Sequence, residues 1–385
     1  MTFNQYGDYL YLYILILTLI PAIVLVLTKK SIKYYGIISS FFIITLLMGF
    51  RTTQFYLFLS FLIGELVVIY GYLFIRRKTD NKYIYWLFLL MSMSPLIICK
   101  LASLTTYASI IGFIGLSYVS FKAIQMVIEI YDGSIKEINL ASFICFITFS
   151  PTLSSGPIDR WKRFNDDLER KKDRKEYIND YLLMGIQKIA LGVVYKFVIA
   201  YLIDTYILLK IPTDISILSS IQYMYAYTFY LFFDFAGYSL FAIGTSYIYG
   251  IKTPENFNKP FISKDMKEFW TRWHISLSRW FGDYIFSRFV LNSMRKKRFK
   301  SRFTASHVAQ IITMFIMGLW HGFTVYYILY GIYQGVILVL TDIYQRKSLF
   351  YKKHKKDKWF KLIQIAVTFH IICFGMLIFS GYLFK

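Results

Sequence analysis

Long uncharged runs broken by short basic clusters set the rhythm of this chain. Residues 9–28 carry no charge, and a run of about 20 apolar positions is what a helix needs to cross a bilayer. No basic residue precedes it and Lys29-Lys30 follows, which predicts an N-terminus outside and the lysines in the cytoplasm. Further spans are predicted at 34–50, 56–75, 83–98 and 101–130, with Arg76-Arg77-Lys78 at another cytoplasmic turn. Residues 138–158 are also uncharged, yet Pro151 and Ser154-Ser155-Gly156-Pro157 end any helix there before it crosses. A re-entrant segment lining a cavity is the expectation, because irregular backbone at membrane depth must be buried in protein or wetted.

Residues 159–176 carry eight basic and six acidic residues and predict a helix along the membrane surface, anchored by Trp161 and Phe164. Another span follows at 181–209, interrupted by Lys188 and Lys196, with Asp204 near its far end. The run 215–250 predicts an aromatic-rich pair of apolar segments in which Asp234 is the only acid. A buried carboxylate there needs a partner, as a structural hydrogen-bond hub or as part of a polar path. Residues 323–340 return to the cytoplasm, 346–361 are strongly basic, and a last span at 362–384 ends outside. The expectation is an all-α polytopic membrane protein, with about ten or eleven transmembrane helices plus re-entrant and cytoplasmic amphipathic helices. No linker divides it, so residues 1–385 read as a single integral membrane domain.

Between Pro254 and Gly322 the chain is polar and basic at first, then turns apolar and ends Gly318-Leu319-Trp320-His321-Gly322. An imidazole at membrane depth is costly unless something uses it, which singles out His321. Upstream, Met266, Trp270, Trp273, Leu277, Trp280 and Tyr284 recur at three- and four-residue intervals and predict a helix carrying His274 at the membrane boundary. Of the other histidines, His354 lies among lysines, His307 starts a span on the basic side, and His370 reads as a structural imidazole in the last span.

Composition agrees with the pattern: 57% of the 385 residues are hydrophobic and only 17% charged, which excludes a set of soluble domains. Aromatics reach 20%, more than interfacial belts need, so some are expected to line a cavity. The net charge of +22 sits in the short segments between apolar runs, as the positive-inside rule places it, and no nucleic-acid-binding module accompanies it. Cys99, Cys145 and Cys373 lie far apart inside apolar runs, so neither a disulfide framework nor a zinc site is indicated. No HExxH pair and no GxSxG elbow occurs, so no metal ligand set is expected. A histidine without a motif serine suits general-base activation of an acceptor hydroxyl brought in by the substrate.

Five ordered strings carry a resemblance: Ser155-Gly156-Pro157-Ile158-Asp159-Arg160, Phe232 to Tyr238, Pro254-Glu255-Asn256-Phe257-Asn258-Lys259-Pro260, Phe269 to Asp283, and Leu319-Trp320-His321-Gly322. Together they resemble the membrane-bound O-acyltransferase superfamily over nearly the whole chain, and the first and third are most similar to its members that D-alanylate teichoic acid. The resemblance implies a ring of spans around a thin core with a central funnel, and a catalytic core at about 138–322. His321 matches the superfamily's catalytic histidine and His274 its second recurrent one; Asp234, Asn256, Trp320 and Ser155 are the expected substrate-binding residues. The chain departs from the pattern at Gly282, where members often carry arginine.

The same resemblance implies the donor, D-alanine held as a thioester on the phosphopantetheine arm of a small cytoplasmic carrier protein, with no cofactor bound by the chain itself. Other membrane proteins of the D-alanylation system and teichoic acid outside are the implied partners. An acidic carrier with a phosphodiester arm calls for a basic, partly apolar surface, and Phe289, Val290, Leu291, Arg295, Lys296, Lys297, Arg298 and Arg302 supply both parts. Two competing readings stand beside this one: an O-acetyltransferase for an exported polysaccharide, and a transporter or flippase without acyl-transfer chemistry of its own.

Overall fold

A computed structural model describes residues 5–104, 111–212 and 214–384, and every regular element among them is helical. The apolar runs become helices because backbone removed from water must bond internally, which a helix does within one segment. α1 (Tyr9–Leu27), α2 (Lys33–Met48), α3 (Thr53–Arg76) and α4 (Lys82–Ala102) follow the expected runs. Side-chain caps start two of them: Thr52 accepts from the amide of Phe55, and Asn81 from that of Tyr83.

The run 101–130 is not one helix. α4 continues through Ala102, residues 105–110 lie outside the described residues, and α5 (Leu116–Tyr131) starts after Gly115 at φ 89°. A Cβ on Gly115 would collide with the carbonyl oxygen of Leu153, so that position requires glycine. α5 is buried along almost its whole length and acts as a core helix. Its Lys122 Nζ donates to the Phe146 carbonyl (3.0 Å) and Thr152 Oγ1 (3.1 Å), and Gln125 Nε2 donates to the Asp159 carbonyl (2.8 Å).

Those bonds hold the 138–158 segment, which does not cross as a helix: α6 (Leu140–Thr148) gives way to a tight turn at Ser150–Thr152 and irregular backbone beyond. α7 (Trp161–Glu169) is shorter than the surface helix expected, and Trp161 and Phe164 are not membrane anchors. Both are buried, with ring centroids 5.6 Å and 5.2 Å from Phe146, because the amphipathic face of α7 meets protein.

The chain forms two compact units, Met1–Val193 with Gly237–Pro254, and Val194–Ala236 with Glu255–Lys385. Two long helices contribute to both, α8 (Arg174–Lys210) and α9 (Ile217–Ile248). α9 is a single helix of 32 residues, not the expected pair of segments, since neither Asp234 nor Gly237 interrupts its backbone ladder.

The second unit continues with α10 (Met266–Trp270), α11 (Ile275–Phe281), α12 (Ser287–Arg295), α13 (Arg302–His321), α14 (Val325–Lys347), α15 (Leu349–His354) and α16 (Lys358–Phe379). The continuous helix expected over 266–284 is broken at 271–274, and a wider turn at Gly282–Phe286 joins α11 to α12. A Cβ on Gly282 would meet nothing within 4 Å, so the fold leaves room there for a side chain. α13 and α14 form a hairpin packed on glycines: a Cβ on Gly318 would lie 2.5 Å from the Tyr327 carbonyl oxygen, and one on Gly331 2.6 Å from that of Met314.

This is a polytopic membrane protein. Eight helices among the described residues are long and apolar enough to cross a membrane, against the ten or eleven expected. The difference lies in α2 and α5, which have 16 residues each, and in α9, one helix where a pair of segments was expected.

Candidate functional site

α10 opens where the Asp265 carboxylate accepts from the Glu268 amide (2.9 Å). Its other oxygen accepts from Gln345 Nε2 of α14 (2.8 Å). After one turn the helix stops, and His274 takes the left-handed conformation, φ 43° and ψ 52°. A residue with a Cβ sits there at a cost of about 1–3 kcal/mol, so the surroundings must impose it. They do so through Asn256: its carbonyl accepts from the Ile275 amide (2.9 Å) and its side-chain Oδ1 from the Ser276 hydroxyl (2.6 Å). α11 is thereby fixed from its first residue, and the break at His274 with it.

His321 arrives from the opposite direction, as the last residue of α13. Its ring lies 4.5 Å from Trp320, 4.8 Å from Phe379 of α16 and 5.6 Å from Tyr327 of α14. The His274 ring lies 4.8 Å from Phe235 of α9, edge to face. Both imidazoles line one cavity of about 60 Å³, walled by Phe235, Trp270, Trp273, Tyr330 and Phe379 among others. A space of that size holds a few waters or the reacting end of a small acyl group. His274 and His321, 47 residues apart in the chain, thus open on the same space.

The electrostatics separate them. His274 is buried outside the membrane-spanning helices, and burial pushes its imidazole down from the ordinary 6.5 to about 3, with a smaller push from His321. It is neutral at physiological pH and can donate or accept a hydrogen bond. His321 is only partly buried.

The other expected site residues fall in different places. Asn256 is fully buried and sets the position of α11. Trp320 packs on the His321 ring. Asp234 is on α9 between the cavity-lining Leu231 and Phe235, paired with Lys196 Nζ. Ser155 belongs to the first unit, in the irregular backbone after Ser150–Thr152. Of the docking segment, Arg295, Lys296, Lys297, Arg298 and Arg302 are exposed and Phe289 is half-buried. Val290 is buried and faces inward, so the exposed apolar positions there are Leu291 (58%) and Met294 (40%).

Sequence reasoning missed a second cluster that supports the site. Asp342 on α14, 7% exposed, accepts from Lys267 Nζ of α10 and Arg346 Nε (2.6 Å), and bonds His307 Nε2 of α13 (2.8 Å). This one carboxylate ties α10 and the hairpin together. The available signal was a lone acid just past an apolar run, on a chain with an excess of cations. Among the described residues no group of three or more His, Cys, Asp or Glu is placed to hold a metal ion.

A family model described as MBOAT, membrane-bound O-acyltransferase family, matches residues 75–384. Similar proteins include a teichoic acid D-alanyltransferase of Bacillus subtilis (strain 168), 40% identical over 388 residues and 98% of either chain. Another of that name from Streptococcus thermophilus is 41% identical, over 99% of this chain and 95% of that one. A probable alginate O-acetylase of Pseudomonas syringae pv. tomato is 31% identical, over 70% of this chain and 49% of its own.

Proposed function

As a member of the membrane-bound O-acyltransferase family the chain is an acyltransferase, and we propose that it passes D-alanine across the membrane for D-alanylation of teichoic acid. The donor is the D-alanyl thioester on the phosphopantetheine arm of a cytoplasmic carrier protein, and His321 is the general base. The observation that carries this reading is the pair of imidazoles, one neutral and one half-buried, opening on one small, mostly apolar cavity.

The chemistry follows from that arrangement. His321 takes the proton of an acceptor hydroxyl as its oxygen attacks the thioester carbonyl carbon; the carbon–sulfur bond then breaks, and the imidazolium returns the proton to the departing thiolate. Atoms balance as an ester and a free thiol. Neutral His274, fixed by Asn256 and Ser276, orients the reacting carbonyl or the hydroxyl by hydrogen bonding. Apolar walls strengthen each of these interactions by excluding water.

The geometry requires a long reach. α13 rises about 28 Å from Arg302 to His321 at about 1.5 Å per residue, most of a hydrocarbon layer. With the basic ends inside, the thioester must travel inward from the surface around Arg295–Arg298, which a long flexible arm allows. Exposed Leu291 and Met294 beside those cations suit a carrier with an apolar spot in an acidic surface. The same charge bias supports an orientation with the start of α1 and the end of α16 outside.

The likeness to a probable alginate O-acetylase favours acetyl transfer as a second reading, over a smaller share of the chain. Offering the purified protein carrier-bound D-alanyl and carrier-bound acetyl thioesters separates them. The expected result is release of carrier thiol with the D-alanyl donor at least about tenfold faster, a difference of about 1.4 kcal/mol in the barrier. Preference for acetyl would overturn the D-alanyl assignment.

A further inference from the structure

An ion pair joins two candidate membrane-spanning helices within the second unit. Lys196 on α8 and Asp234 on α9 meet through Nζ and Oδ1, with Lys196 17% and Asp234 36% exposed. Ionisable side chains on membrane-spanning helices characteristically pair and serve substrate or ion paths, and here the carboxylate keeps part of its surface open beside its partner. Lys196 sits in a widened turn at Val194–Ala200, a feature common at functional sites.

Asp204, two turns further along α8, makes no ion pair among the described residues, and Tyr230 stands one turn before Asp234 on α9. Asp234 is also flanked on α9 by Leu231 and Phe235, which line the cavity holding His274 and His321.

We propose that Asp234 is the counter-ion for the ammonium of the transferred amino acid, with Lys196 as the built-in cation that the substrate displaces and Tyr230 as an aromatic wall. This rests on the D-alanyl reading above. Asp234 pairs with Lys196 while the site is empty, so neither of these two charges is left uncompensated. An incoming aminoacyl group takes over the carboxylate, and an acyl group without an ammonium gains nothing there. The pair thus acts as a filter for cationic acyl groups beside a cavity that is otherwise apolar.

The test compares binding of two non-reactive amide analogues of the loaded arm, D-alanyl-aminopantetheine and propionyl-aminopantetheine, to the full chain in nanodiscs. The wild type is expected to bind the D-alanyl analogue about tenfold tighter, a typical size for one close charge pair, and Asp234→Asn to abolish the difference by weakening that analogue alone. Lys196→Gln should tighten the D-alanyl analogue and leave the propionyl one unchanged, whereas a merely structural pair would weaken both. Equal affinities in the wild type, or parallel loss in Asp234→Asn, would overturn the proposal. Binding is read without turnover, so discrimination without transfer would count against the D-alanyl reading, and transfer without discrimination against this site.

Discussion

His274 combines two costs that a residue without a role would shed, a left-handed backbone and a buried imidazole. The second has a sign that can be checked. Its folded-state pKa of about 3 lies below the ordinary 6.5, so the unfolded chain binds the proton first. The stability this neutral ring contributes is present above pH 6.5 and lost as pH falls toward 3. His274→Asn suits the left-handed backbone and cannot titrate. Its melting temperature in detergent is expected to fall less than the wild type's between those pH values, and its transfer rate to drop; parallel curves would mean His274 is not buried neutral. Both imidazoles stand out in the sequence, because each is an ionisable group in apolar surroundings. Their shared cavity does not, since its walls come from α9, α10, α14 and α16 and no local pattern registers that meeting.

At the level of elements, periodicity served well where a helix packs on one side and failed where two short helices share a face. Met266 to Tyr284 kept a 3.6-residue period across the break at 271–274 because α10 and α11 both bury aromatics, and no glycine or proline marks the stop. The proline-bearing 138–158 segment did carry its breakers in the sequence, and its irregular backbone was legible. The hairpin that carries His321 depends on Gly318 and Gly331 in contact. Gly331→Ala is expected to cost about 1–3 kcal/mol by overpacking, as a lowered melting temperature, and to slow transfer by shifting His321. A stable, fully active Gly331→Ala protein would show that the hairpin tolerates separation. Asp342 belongs to the same scale: Lys267, the His307 ring and Arg346, on α10, α13 and α14, converge on it, and only tertiary packing reveals that they do.

Over the whole molecule, the excess of cations, the apolar helices and the two histidines fit a membrane acyltransferase, and the proposal above brings a charged donor from one side of the membrane and an alcohol from the other. The class was legible early because membrane insertion and the positive-inside bias write themselves into composition. The lengths of the helices were less legible, because a short buried helix such as α5 and a single long one such as α9 leave the same kind of apolar run. The central claim is that acyl transfer occurs at His321, and single-turnover transfer from D-alanyl-loaded carrier in proteoliposomes tests it most directly. His321→Ala is predicted to bind the carrier as the wild type does while losing at least about a hundredfold in rate, the lower end of what a positioned general base contributes. Wild-type transfer by His321→Ala would contradict the account.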